Sequence, residues 1–386
     1  MMMDWEKKQL RDVCEIGDGN YSSKYPKAND FIASGIPFIT AKNLKYGTVV
    51  SKHIRYISED QHSTLTKGHV KEGDLVIVVR GSSTGNCSLV PHEYKNSNLN
   101  SQLAYLRTEN NILDSKFLYY IFSSPCIQKV VYETISGSAQ PQLPNNKLLG
   151  IEISFPPLNE QKRIVAKLDK CFEAIDKARA NVEKNLQNAK DLFQSQLNQI
   201  FSQKGEGWVE KNLGSVCENF DSKRIPITKS KRVHGEIPYY GASGIVDYIS
   251  EFIFDEDLLL VSEDGANLLA RTYPIAFSVS GKIWVNNHAH VLKFEDINEQ
   301  YFIEYFLNSI KLNDYVSGMA QPKLNQKKLN SILVPYPSVE VQRDTVDYLN
   351  KLYSQVQSLE SNYKQELDAL DELKKSILQK AFNGEL

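Results

Sequence analysis

The sequence predicts an α+β protein: two globular, α/β-mixed domains separated by two long antiparallel coiled-coil helices and related by a pseudo-twofold internal duplication. Three observations predict it. Much of the chain is written twice, each copy ends in a run of about forty residues without proline or glycine, and each run carries an apolar stripe at alternating steps of four and three.

The duplication begins at once. "WEKKQLRDVCE" from Trp5 and "WVEKNLGSVCE" from Trp208 agree at six of eleven positions without a gap. Trp5, Lys8, Leu10, Val13, Cys14 and Glu15 recur as Trp208, Lys211, Leu213, Val216, Cys217 and Glu218. "IPF" at Ile36 is echoed by "IPY" at Ile237, "DLVIVV" at Asp74 by "DLLLVS" at Asp257, and "FLYYIFSS" at Phe117 by "FIEYFLNS" at Phe302. "SGSAQPQL" at 136–143 returns as "SGMAQPKL" at 317–324. The offset falls along the way, so the second copy is about 22 residues shorter, mainly between Tyr240 and Asp257.

Each copy opens with a mixed segment, predicted as domains 1–157 and 204–338. Short apolar strands such as "DLVIVV" and "KIWVNNHAHVL" are punctuated there by Gly, Asn and Ser, which is α+β patterning rather than an alternating βαβ chain. Long helices are predicted over 158–203 and 339–386. Pro156, Pro157, Pro335 and Pro337 precede the starts, and Gly205 and Gly384 follow the ends. The first stripe runs through Ile164, Leu168, Ile175, Val182 and Leu186, the second through Leu349, Val356, Tyr363, Leu367 and Leu370. Such stripes are expected to pair with each other as a coiled-coil seam rather than to lie on a large core. Because the first helix leads away from the first domain, the second must return antiparallel. A helix of this length spans roughly 65 Å, about two turns of B-DNA at roughly 34 Å each.

Composition narrows the function. A chain of 386 residues, 41% hydrophobic and 24% charged, suffices for two ordinary cores. The sequence has no run of 18 apolar residues that could span a bilayer, and "MMMDWEKKQL" lacks signal-peptide features, so a cytoplasmic protein is expected. The five cysteines are odd in number and never in a CxxC pair, and are expected to be reduced and mostly buried. A net charge of -2 gives no global sign of a polyanion binder, so any nucleic acid must be met by local patches.

Catalytic motifs are weak. "CEIGDGN" at Cys14 has the E-x-G-x-G spacing of an S-adenosylmethionine turn, but its repeat "CENFDSK" lacks both glycines, so a plain turn is expected. "RGSSTGNC" lacks the ending of a phosphate loop. It suits a turn joining two strands, whose tip offers Arg80, Ser82, Ser83, Thr84 and Asn86 to a groove edge. "NNHAH" at Asn286, read as one strand, puts His288 and His290 on the same face without an evident third metal ligand; structural, metal and nucleic-acid roles stay open. "SKRIPITKSKR" gathers Lys223, Arg224, Lys229, Lys231 and Arg232, the charge that phosphate neutralisation needs, or else a solvated loop. The first domain has a thinner set that includes Lys42 and Asn43. Lys282, Asn286 and Asn287 complete the candidates; Arg suits guanine, and Asn or Gln suits adenine.

The repeated "SGSAQPQLPNNKLLGIEISFPPLNEQKRIVAKLD" and "SGMAQPKLNQKKLNSILVPYPSVEVQRDTVDYLN", each leading into a long helix, resemble the conserved regions of the specificity subunits of type I restriction-modification systems. "DLVIVVRGSSTGNC" and "VSEDGANLLARTYPIAFSVSGKIWVNNHAHVL" resemble segments of that family's two target-recognition domains. The resemblance covers essentially the whole chain. It implies a noncatalytic subunit that binds an asymmetric, bipartite double-stranded DNA sequence, one half per domain, with a spacer set by the helices. It implies methyltransferase (M) and restriction (R) subunits as partners; S-adenosylmethionine, ATP and Mg would belong to them, with no cofactor in this chain and no membrane. One departure is Glu263 in "SEDGAN", where similar segments often carry a basic residue; this leaves Asn267 and Arg271 as better DNA candidates. Two rivals remain: a self-sufficient adenine-N6 DNA methyltransferase and a DNA-independent coiled-coil adapter. The near-identical "SGxAQPxL" copies cannot distinguish two half-sites, so they are expected to act as joints, with specificity where the copies differ.

Overall fold

Every residue of Leu75–Val78 is buried, because its two faces serve two cores. Leu75 and Ile77 join a cluster with Phe117, Leu118 and Ile121, while Val76 and Val78 join Ile39, Val49, Leu99 and Leu103 on the other side, the period-two alternation of a strand covered on both faces. The second copy repeats this: Leu259 and Val261 pack with Phe302 and Phe306, and Leu258 and Leu260 with Phe254 and Val291.

The computed structural model describes residues 5–385 apart from 20–22, 46, 110, 138–139, 204, 206 and 319–320. It divides into two compact units, Met1–Asn181 with Glu366–Leu386, and Val182–Gln365. In the first, a six-stranded sheet runs in the order Cys14–Asp18, Leu103–Thr108, Leu75–Val78, Cys87–Leu89, Thr48–Val49, Leu44–Lys45. A three-stranded sheet has Ile36–Ile39 between Arg55–Ile57 and Asn98–Leu99. In the second unit the sheets are Glu218–Asn219, Ala289–Lys293, Leu258–Ser262, Ala276–Val279, and Gly244–Ile249, His234–Gly241, Lys282–Val285, Phe254–Asp255.

Each unit is tied to its stalk by a two-stranded antiparallel sheet. Glu6–Gln9 pairs with Glu152–Phe155, and Val209–Asn212 with Leu333–Tyr336. The repeated Leu10 and Leu213 donate their N–H to Ile151 and Ile332 at 3.0 and 2.9 Å. The repeated tryptophans each join an aromatic trio. Trp5 packs with Phe117 and Phe382 at ring distances of 6.2 and 6.5 Å, while Trp208 and Phe201 meet Phe302 at 5.9 and 5.3 Å.

The long helices are Leu158–Ser202 and Val339–Phe382, close to the predicted bounds. Within each unit they run antiparallel. In the first, Arg179 pairs with Asp371, Lys374 with Asp176 at 3.5 Å, and the Lys374 ammonium lies 4.8 Å from the Phe172 ring centre. In the second, Phe193 meets Tyr353 at 5.4 Å and Tyr348 donates to Gln196 at 3.1 Å. The seam expectation needs correcting at its ends. Ile164, Leu168 and Ile175 are buried in the first unit's main core, beside Leu378 and Ala381, and Leu349 is buried in the second. Val182, Leu186, Tyr363 and Leu367 are only half-buried, and so is Leu370 against the first unit's core; Val356 is buried.

Two further expectations fail. Cys14–Asp18 in "CEIGDGN" is a strand paired with Leu103–Thr108, not a turn. Its glycines have packing reasons: a Cβ on Gly17 would lie 2.2 Å from the Tyr105 ring, and one on Gly19 1.8 Å from the Asn100 carbonyl oxygen. The cofactor-turn reading loses its motive. "KIWVNNHAHVL" is two strands in two different sheets, Lys282–Val285 and Ala289–Lys293, with a turn at Asn286–His288. His288 and His290 therefore do not share a strand face. Among the cysteines, Cys14 is buried but Cys126 is exposed; burial pushes the Cys14, Cys87 and Cys217 thiols up to about 12.

Candidate nucleic-acid interface

At one end of each unit three segments meet, and the same backbone bonds hold them in both copies. The first is the "SGxAQPxL" stretch. Ser136 and Gln142 exchange N–H···O bonds of 2.9 Å each, and Ser317 and Lys323 do so at 2.9 and 2.8 Å, closing a loop. Gly137 and Gly318 sit at φ +88° and +85°, where a Cβ would come 2.7 and 2.6 Å from the carbonyl oxygens of Gln140 and Gln321. Glycine is required there.

The second segment is the loop leaving the central strand. Gly81 donates to the Pro141 carbonyl and Gly265 to that of Pro322, both at 3.0 Å; Leu143 donates to Val79 and Leu324 to Glu263, at 2.9 and 2.8 Å. Arg80 thus occupies in the first unit the place that Asp264 holds in the second, each bridged to the joint through Gln142 or Lys323.

The third segment is the turn by which the chain crosses from one sheet to the other. Asn100 N–H donates to Ile39 at 2.9 Å, and Asn286 N–H to Tyr240 at 3.0 Å. Their side chains accept the N–H of Gln102 and His288 at 3.3 and 2.8 Å. The carbonyls of Gln102 and His288 accept Val79 N–H and Glu263 N–H at 2.8 and 2.9 Å. Asn100, Ser101 and Gln102 were absent from the sequence-derived candidates. The only sequence signal for them is "LNSQLAY" laid on "VNNHAHV", where one Asn is identical and three positions are hydrophobic in both.

The predicted site residues scatter between solvent and interior. Lys42, Arg80, Ser82 and Asn86 are exposed in the first unit, with Ser83 and Thr84 partly so. Thr84 donates its hydroxyl to Gly81 at 2.7 Å, which keeps the tip of the Leu75–Val78 to Cys87–Leu89 hairpin folded back. Asn43 is fully buried and staples its loop, accepting from Thr40 N–H at 3.0 Å and donating to Val50 and Lys52 carbonyls. In the second unit Lys229, Lys231, Lys282, Asn287 and His288 are exposed. Lys223 rests its ammonium 3.2 Å from the Phe220 ring centre.

Four candidates are engaged internally. Arg224 bonds Glu263 at 2.7 Å and the Ala289 carbonyl at 2.7 Å. Arg232 bonds Asp247 at 3.0 Å and stacks on Tyr239. Asn267 is buried, with its side-chain oxygen accepting from Thr272 at 3.0 Å and its amide donating to Tyr273 at 2.9 Å. Arg271, at φ +52°, donates to the carbonyls of Leu307 and Ile310 at the end of helix Ile297–Ser309, satisfying groups the helix leaves unpaired. Asn286 is buried as the turn's staple. For Asn43, Asn267, Asn286, Arg224 and Arg271 the DNA-facing expectation is corrected, since their polar groups point into the fold.

Among the described residues the cluster that could hold a metal is Asp221, Glu263 and His290, without His288. Cations of the chain already hold them. Lys323 lies 3.2 Å from Glu263 beside Arg224. His290, buried, meets Asp221 at 2.6 Å through Nδ1 and the Leu324 carbonyl at 2.7 Å through Nε2, so neither ring nitrogen is left for a metal. Burial opposes ionisation of Asp221, but hydrogen bonding from His290 overcomes it; at Glu263 the same opposition is overcome by Arg224. Both carboxyls sit below their ordinary range.

The sequence model of the family described as the type I restriction modification DNA specificity domain matches residues 2–184 and 205–369. A Haemophilus influenzae protein named as a type I restriction enzyme specificity subunit is 34% identical over 142 residues, 37% of this chain and 36% of that one, so the alignment spans about a third of that relative's length. The type I restriction enzyme MjaIX specificity subunit of Methanocaldococcus jannaschii is 23% identical over 421 aligned positions, 99% of this chain and 94% of that one. A chain from a solved structure concerned with assembly and conformational transition of the type I R-M system matches with a TM-score of 0.80 at 21% identity, covering 99% of this chain and 98% of that one. The HsdS subunit from Thermoanaerobacter tengcongensis matches with a TM-score of 0.55 at 20% identity, covering 99% and 97%. At these identities the structural likeness bears on the fold.

Proposed function

The chain belongs to the type I restriction modification DNA specificity family, and from that premise we propose that its two heads divide one asymmetric, bipartite DNA target between them. It is a noncatalytic specificity subunit. In this reading each head contacts one half-site of double-stranded DNA, the paired helices set the spacer, and methyltransferase and restriction subunits dock on the chain. S-adenosylmethionine, ATP and Mg act on those partners, and the complex works in the cytoplasm. Among the described residues no helix is long and apolar enough to cross a membrane.

The observation that carries the reading is the pairing of an identical backbone frame with different side chains. Joint, loop and crossover turn are bonded alike in both units, yet Arg80 stands where Asp264 does and Gln102 where His288 does. Two identical heads would read a repeated half-site; divergent ones read two.

The test is exchange of residues 1–157 for the corresponding segment of another family member, followed by mapping methylated adenines when the chain is expressed with its methyltransferase partner. One half of the methylated sequence is expected to change. A change in both halves, or in neither, would overturn the two-head assignment.

A further inference from the structure

We infer that the crossover turns, Ser101–Gln102 in the first head and Asn287–His288 in the second, carry side chains that discriminate one base pair in each half-site. This rests on the division of the target proposed above.

The turns have the properties that base reading needs and that a solvated loop does not. Their backbone is held rigidly: a buried asparagine, Asn100 or Asn286, fixes each turn from within, and the carbonyl of the third residue is bonded to the next loop. That loop is in turn pinned by the joint. Rigid presentation keeps the entropic cost of ordering a reading side chain low. The variable residues are open to solvent, with Gln102, Asn287 and His288 exposed and Ser101 partly so.

The chemistries also differ between the heads. The Gln102 side-chain oxygen accepts from the Asn100 amide at 3.2 Å, which fixes the group and leaves its NH2 and a second oxygen lone pair side by side, the pattern that matches adenine N7 and N6. The His288 ring is oriented by Asp264, whose carboxylate oxygens lie 2.8 and 3.0 Å from Nδ1. With Nδ1 turned to Asp264, Nε2 is the ring nitrogen left to face a base. In the first head the residue at the Asp264 position is Arg80, so the orienting carboxylate is absent from that frame.

The experiment uses the full chain assembled with its methyltransferase partner. Binding to the mapped target is measured by competition against targets bearing each single base-pair substitution, for Gln102→Ala, Gln102→Glu, His288→Ala and His288→Gln. The Gln102 variants are expected to lose about tenfold to a hundredfold discrimination at one pair of the half-site assigned to residues 1–157, with the other half unchanged. The His288 variants should do the reverse. Unchanged discrimination at every position in a complex that still binds would overturn the inference. So would a loss spread evenly over all sequences, which is the signature of a phosphate contact. The near-isosteric Glu and Gln variants decide the matter where an alanine variant fails to assemble. If exchanging residues 1–157 moves one half-site while these variants move nothing, this inference falls and the two-head reading stands.

Discussion

Gln161 and its repeat Gln342 are 0% and 1% exposed, and each reaches back five residues to bond a proline carbonyl, Pro156 at 2.8 Å and Pro337 at 3.1 Å. Gln161 also accepts from Asp114 N–H at 2.9 Å and donates to the Ile112 carbonyl at 2.9 Å, fastening the head's loop to the start of its stalk. Gln161→Ala should therefore cost about 2–3 kcal/mol, and Gln342→Ala about 1 kcal/mol, in urea unfolding of the full chain. The buried charges of the second unit predict a pH dependence. Asp221 and Glu263 are held below their ordinary values, so the stability they contribute is present above the unfolded carboxyl range near pH 4 and is lost as pH falls through their lower folded values. Thermal melting of Asp221→Asn and Glu263→Gln variants should show a weaker loss between about pH 5 and 2 than the parent chain. Little of this was legible in the sequence. An asparagine that staples a loop, such as Asn43 or Asn267, has the same letter as one that reads adenine, and only the fold shows which way its amide turns. Arg224 and Arg232 are hard to read for a related reason: besides Asp221, three positions away, Arg224 bonds Glu263, 39 positions away, and Arg232 bonds Asp247, 15 positions away.

At the scale of elements, the helices were the clearest part of the sequence. Proline-led starts and an unbroken run of helix-compatible residues leave no alternative. Their packing was less clear, because a four-three stripe is the same whether it meets one helix or a head's core. The structure grades it. Leu168 is 0% exposed within a core, whereas Leu367 is only half-buried. Leu168→Ala is expected to lower stability by about 2–5 kcal/mol, and Leu367→Ala by about 1 kcal/mol, since its exposed part had little transfer energy to lose; parallel urea titrations check the ratio. The split of "KIWVNNHAHVL" into two strands was also hidden. The polar "NNH" between the two apolar runs is a turn, and across it the pairing partner changes from Phe254–Asp255 to Leu258–Ser262.

For the whole molecule, the duplication was legible from ungapped matches, while the equivalence of Gln102 and His288 rests on one identical Asn in the sequence and is fixed by the sheet register. Inserting one heptad into the first long helix between Val182 and Leu186 should alter the preferred spacer of the methylated sequence or abolish assembly with the methyltransferase. An unchanged spacer at full activity would contradict the spacing role. The division of the chain has one more consequence. The first unit is discontinuous: its Trp5–Phe117 aromatic face is completed by Phe382, and its core by Leu378 and Ala381. During synthesis, the head made first is therefore the last to be finished. The second unit has all its sequence once residue 365 has emerged, while the first waits with an uncovered aromatic surface until the ribosome has delivered the final turns of the second helix. A stop codon in those turns should leave a sound second head and send the first to chaperones and proteases.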